Sequence, residues 1–168
     1  MEIRDYNGDG VWTATAILDR YAQYCKIFNV ATPRCLDPDV HEKNGTRWIY
    51  PAMEKVIEGI EAEDLACTQI GIEFIQEDQG FTFGAILKSN TARALRRHKS
   101  LTLTQVSQIR SRIVKLLRTG IVPREYREYA KLLRAIGVGP HWPEIQRARP
   151  QNRYAQRAKA YFLAYCAP

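Results

Sequence analysis

Apolar residues return every three or four positions through most of the chain, so helices dominate the expected fold. From Thr13 onward, Ile17, Leu18, Tyr21, Tyr24, Cys25 and Phe28 share one face while Asp19, Arg20, Gln23 and Lys26 share the other. A loop carrying Pro33, Pro38 and Asn44-Gly45 follows. A second helix is expected to open near Pro51, where proline suits a first turn, and to bury Met53, Val56, Ile57 and Ile60.

The stretch from Asp64 to Leu87 fits two patterns. Ile70, Ile72 and Phe74 alternate as a strand does, Gln79-Gly80 can turn the chain, and Phe81 and Phe83 alternate again, which would make a short β-hairpin around residues 68–86. A helix from Leu65 to Gln76 fits as well and agrees with its helical neighbours. Asn90 to His98 reads as helix and carries Arg93, Arg96 and Arg97.

The strongest local signal begins at Leu101. Thr102 and Gln105 have the spacing of a capping box, and Leu101 with Val106 that of a hydrophobic staple. The helix they start would bury Val106, Ile109, Ile113, Leu116 and Leu117, carry Arg118 in its last turn and end at Gly120. A further helix is predicted from Pro123 to Gly137 with Tyr126, Tyr129, Leu132, Leu133 and Ile136 inward. A short one is expected from Pro143 to Arg147, and a last one from Asn152 with Tyr154, Ala158, Tyr161, Phe162 and Tyr165 inward. The short links between them imply antiparallel neighbours, so the expectation is an all-α, compact bundle of about six to seven helices.

Charge changes this picture. Residues 1–80 hold 15 Asp plus Glu against 7 Lys plus Arg, whereas residues 81–168 hold 3 against 18, so an acidic half of −8 precedes a basic half of +15 in a chain of net +7. At 168 residues the two halves are expected to share a single domain. No apolar run reaches the length of a membrane span, and Glu2, Asp5 and Asp9 do not suit a signal peptide, which points to the cytoplasm. Cys25, Cys35, Cys67 and Cys166 form no Cys-x-x-Cys pair; Cys25, Cys35 and His41 lack a fourth ligand, so neither a metal nor a cofactor is expected.

Arginine presents a planar fork of donors and keeps its charge, which suits phosphate. Arg124, Arg127, Lys131 and Arg134 are spaced three, four and three apart and form one stripe opposite an apolar face. Arg112, Lys115 and Arg118 repeat this on the preceding helix, and Arg93, Arg96, Arg97 and Lys99 would extend the surface. Charged faces often do no more than solvate a helix, but mixed charges would serve that purpose equally well, and this half has almost no carboxylates. In outline Gln105 to Arg149 resembles a helix-turn-helix, with Arg147 and Arg149 placed to reach nucleic acid. It departs from that family because Ala130 is followed four residues later by Arg134, and the glycine arrives only at Gly137. Most tyrosines fall on apolar faces; Trp142, in the turn His141-Trp142-Pro143, is the expected exposed ring.

Two acidic patterns were weighed against this. Asp5, Asn7, Asp9 and Gly10 match the start of an EF-hand loop, but Ala16 occupies the position of the bidentate Glu, so an Asx turn capping the first helix is expected. Glu54, Glu58 and Glu61, with Glu73 and Glu77 downstream, resemble the carboxylates of all-α nucleoside triphosphate pyrophosphatases, which hold Mg²⁺, although the spacings depart from that family's motif. Glu73 lies among Ile72, Phe74 and Ile75 and would need a partner such as Arg93. No phosphate loop, nucleophile elbow or triad is evident, and no residue is assigned a catalytic role. The expected function is non-enzymatic nucleic-acid binding through the basic helices, whether of DNA or RNA. The alternatives are a helical module that docks an acidic protein or pairs with its own copy, and then a Mg²⁺-dependent phosphohydrolase.

Overall fold

The computed structural model describes residues 1–77 and 82–168, which cluster into two compact units, Met1–Lys99 and Ser100–Pro168. The fold is mostly helical, with eight α-helices and one small sheet among the described residues.

In the N-terminal unit, strands β1 (Glu2–Asp5), β2 (Val40–Lys43) and β3 (Thr46–Ile49) form the sheet in the order β1-β3-β2. Asn44 and Gly45 both have positive φ, 50° and 76°, which is the two-residue hairpin geometry that Asn-Gly favours, and β2 pairs antiparallel with β3 across them. Among the described residues the β structure therefore lies here, and residues 68–76 are helical. β1 and β2 are exposed throughout, so they carry no apolar alternation by which a sequence pattern could reveal them.

Helix α1 (Ala14–Ile27) is capped by Thr13, whose Oγ1 accepts from the Ala16 amide at 3.2 Å. The Asx turn at Asp5 serves a different helix from the one expected. Asp5 Oδ1 accepts from the Asn7 amide at 2.9 Å, and Asn7 Oδ1 accepts from the Ala52 amide at 2.8 Å, at the first turn of α2 (Ala52–Glu61). Helix α3 (Leu65–Gln76) replaces the hairpin alternative, and α4 runs from Gly84 to Arg97. Ile70, Ile72, Phe74 and Ile75 are all fully buried, because α3 packs against α1, α2 and α4. A helix buried on nearly every side loses its 3.6-residue pattern, and a local alternation can then imitate a strand. Gln79, Gly80 and Phe81 lie outside the described residues. A Cβ at Gly59 would overlap Cys67 Sγ, and one at Gly71 would overlap Ile60 Cδ1; these two glycines set the close approach of α2 and α3.

In the C-terminal unit, α5 (Leu103–Thr119) has the capping box in full: Thr102 Oγ1 accepts from the Gln105 amide at 3.2 Å and Gln105 Oε1 from the Thr102 amide at 3.0 Å. Gly120 ends it with φ 73°. Helix α6 spans Tyr126–Ile136, three residues shorter at its start than Pro123 suggested, because Arg124 and Glu125 form a turn. Its C-terminus is held by Arg110, which donates to the carbonyls of Gly137 at 2.6 Å and Ile136 at 2.7 Å. Helix α7 covers Trp142–Arg147, and α8 covers Arg153–Tyr165. Asn152 joins two helix ends: its Oδ1 accepts from the Ala155 amide at 2.9 Å and its Nδ2 donates to the Gly120 carbonyl at 2.7 Å. The core gathers Ile109, Ile113 and Leu117 of α5, Tyr126, Tyr129, Leu132 and Leu133 of α6, Ile145 of α7, and Ala155 and Phe162 of α8.

Candidate nucleic-acid interface

The boundary between the units softens the charge division without removing it. Met1–Lys99 holds 12 Lys plus Arg against 15 Asp plus Glu, while Ser100–Pro168 holds 13 against 3. Arg93, Arg96, Arg97 and Lys99 therefore belong to the N-terminal unit, whose acids meet some of its cations directly. Arg97 pairs with Glu61 at 3.3 Å, Lys55 with Asp39 at 2.9 Å, and Arg20 with Glu73 at 3.3 Å. Arg93 is exposed and Arg96 half-buried on α4.

The three carboxylates of the C-terminal unit are occupied within it. Glu125 is buried in the turn before α6, Glu128 is 7% exposed and pairs with Lys131 at 3.0 Å, and Glu144 pairs with Arg118 at 2.9 Å. The Glu144 carboxyl is pulled below the usual range, first by its hydrogen bond with His141 and then by Arg118. Arg127 and Arg134 are exposed on α6 and Arg124 is exposed in the turn before it, while Lys131 between them is half-buried and paired with Glu128.

Opposite that stripe stands a row of rings. Helix α8 buries Ala155 and Phe162 and leaves Tyr154 68% and Tyr165 59% exposed, with Tyr161 half-buried between. Tyr154 and Tyr165 were expected inward; the narrow stripe of Ala155 and Phe162 fills the available core, and the second apolar stripe is left outside. Between α6 and α8 lies a groove of about 960 Å³. Arg124, Arg127, Lys131 and Arg157 supply its charge; Tyr126, Tyr154 and Tyr161 its rings; Val122, Pro123, Ala130 and Ala158 the remaining walls. No acidic residue lines it among the described residues. At one end the Arg134 guanidinium lies 5.0 Å from the Tyr165 ring centroid and hydrogen-bonds Tyr161, which raises the arginine's affinity for its proton further. Beneath, the Tyr126 hydroxyl donates to the Ile113 carbonyl at 2.8 Å, and burial pushes its pKa up.

The other predicted contacts are distributed differently. Arg112 is 9% exposed, so the stripe on α5 reduces to Lys115 and Arg118, and Arg118 is engaged with Glu144. Position 112 lies one turn from Ile109 and Leu116, at the margin of the face that α5 turns inward. Trp142 is half-buried at the start of α7, because the chain continues there as helix and does not remain an open turn. Arg147 and Arg149 are exposed. Arg157, Tyr154 and Tyr161 were not singled out as site residues; the one available signal was that Tyr154, Ala158, Tyr161 and Tyr165 make a stripe distinct from Ala155 and Phe162.

Three of the five glutamates in the acidic patterns, Glu58, Glu61 and Glu73, pair with cations of the same unit. The partner of Glu73 is Arg20, not Arg93, and the Tyr24 hydroxyl donates to its other oxygen. Burial first and Glu73 second push the Tyr24 pKa up to about 12. Glu54 is exposed, and Glu58 pairs with Lys55 at 3.5 Å. Glu77 is exposed, and its carbonyl accepts from buried Lys88. Among the described residues no group of three or more His, Cys, Asp or Glu side chains is arranged to hold a metal ion, and no helix is long and apolar enough to cross a membrane.

Comparison with protein-family models, with curated proteins and with solved structures finds no match to the chain.

Proposed function

We propose that the C-terminal unit binds nucleic acid, holding phosphates with the cations that flank the α6–α8 groove. The observation that supports this reading is that the unit's three carboxylates are buried or paired internally, while Arg124, Arg127 and Arg157 stay exposed along one groove and Arg134 is exposed on the same helix as Arg127. Cations that served only solubility would be interspersed with exposed acids. Four such arginines neutralising four phosphates of a single strand correspond to a slope of about −3 in log affinity against log salt, so a fourfold rise in salt weakens binding roughly 50-fold.

The test is a fluorescence-anisotropy titration of the full chain with labelled oligonucleotides, both duplex and single-stranded, at two salt concentrations. Substituting Arg124, Arg127 and Arg157 together with Ala should reduce the single-strand slope by about 2, since three phosphate contacts go. These residues are exposed, so the helical circular dichroism should stay unchanged. Absence of binding to every oligonucleotide at low salt would refute the proposal.

A further inference from the structure

We infer that the α6–α8 groove takes unpaired bases, with Tyr154 and Tyr161 stacking against them while Arg124, Arg127 and Arg157 hold the flanking phosphates. This rests on the nucleic-acid reading above and narrows it from any polyanion of phosphates to single strands.

The carrying observation is the placement of Tyr154. A ring 68% exposed on a helix that already has an inward stripe in Ala155 and Phe162 contributes little to its own unit. It lines a groove together with three exposed arginines and a half-buried second ring. Phosphate contacts alone need no aromatic surface, whereas stacking on a base needs a ring face beside a cation that tracks the backbone. A duplex offers its phosphates but hides the faces of its bases, so the rings would go unused.

The walls agree with a flat occupant. Ala130 and Ala158 are the shortest side chains lining the groove, so its walls are low at these two positions. A guanidinium already lies over a ring beyond the groove, where Arg134 sits 5.0 Å from the Tyr165 centroid and Tyr165 is tilted against Tyr161 at 5.1 Å. Tyr154, at the other end of α8, has no ring of its own unit recorded against it among the described residues, and a base would continue that ladder. An acidic amphipathic helix would satisfy the charge as well, but it would leave the exposed face of Tyr154 without the planar partner that a base supplies.

The experiment compares four probes on the full chain at low salt: a 20-nucleotide oligo(dT), an abasic strand of the same length and charge, a 20-base-pair duplex, and a 20-residue oligo-Glu peptide. Oligo(dT) should bind most tightly, Tyr154→Ala should weaken it about 5- to 150-fold, and Tyr154→Trp should restore it. Ala158→Leu, which fills the floor without changing charge, should also weaken oligo(dT). Neither variant should alter binding of the abasic strand. Equal affinity of wild type for oligo(dT) and the abasic strand, or an oligo(dT) affinity unchanged by Tyr154→Ala, would overturn the base-stacking inference while leaving phosphate binding standing. Tightest binding of oligo-Glu, lost in Tyr154→Ala, would overturn it in favour of an acidic protein segment. Failure of all three nucleic-acid probes would overturn the wider reading.

Discussion

Phe162 is the residue on which α8, and with it the aromatic wall of the groove, depends most. Its side chain is fully buried and meets Tyr126 of α6 at a ring-centroid distance of 6.3 Å in a T-shaped contact, while the only other fully buried residue of α8 is Ala155. Removing a buried phenylalanine ring costs about 3–5 kcal/mol, from lost transfer energy and the cavity left behind. A unit of roughly 70 residues has about 3.5–10 kcal/mol of total stability, so Phe162→Ala removes a third or more of it. Phe162→Leu keeps most of the apolar volume and should cost about 1–1.5 kcal/mol, lowering the melting temperature by roughly 4–12 °C. Thermal unfolding followed by circular dichroism gives the ranking, and peptide-resolved hydrogen exchange gives its location. The expected result is faster exchange in α8 and at the start of α6 for both variants, larger for Ala. If α8 amides in Phe162→Ala kept their wild-type protection, the assignment of Phe162 as the anchor would be wrong.

Two further outcomes follow from buried groups of known surroundings. Iodoacetamide applied to the native protein should label Cys35, which is exposed, and spare Cys25, Cys67 and Cys166, whose thiol pKa values burial pushes up; all four should label after denaturation. Mass mapping that found Cys67 labelled as fast as Cys35 would contradict its buried position between α2 and α3. His98 has its pKa lowered from 6.5, chiefly by burial, with Glu63 opposing. The unfolded chain then takes up this proton at a higher pH than the folded one, so the stability it contributes is complete above 6.5 and is lost as pH falls through the lowered folded value. Melting curves at pH 7.5 and 5.5 should show a smaller acid loss for His98→Gln than for wild type, and an equal loss in both would exclude this contribution.

Features enforced by hydrogen bonds within one turn were open to sequence reading. Thr102 and Gln105 satisfy each other's amides three residues apart, and Gly120 adopts the positive φ that ends α5, whatever packs around them. Asn44-Gly45 shows the limit of such signals: it turns the chain as its type requires, but β2 before it is exposed throughout and β3 after it is half-buried at every position, so neither carries an alternation to extend it. α3 was legible through its helical neighbours more than through its own pattern, since burial on nearly all sides blurred its periodicity and left a strand-like alternation beside it.

By itself the sequence determined that the chain is mostly helical, where its best-capped helices begin and end, and that its basic charge concentrates in the second half, because propensity, capping and charge are properties of short stretches. Only the tertiary structure decided which of two apolar stripes on α8 went inward. Phe162 and Ala155 filled the space that α5 and α6 offered, and Tyr154, Tyr161 and Tyr165 were left beside the arginines of α6. Tertiary packing likewise left Arg112 only 9% exposed, and the chain divides into units at Lys99, beyond the point where the charge changes sign. A helix's own pattern shows what it can bury, and its neighbours determine how much of that they cover.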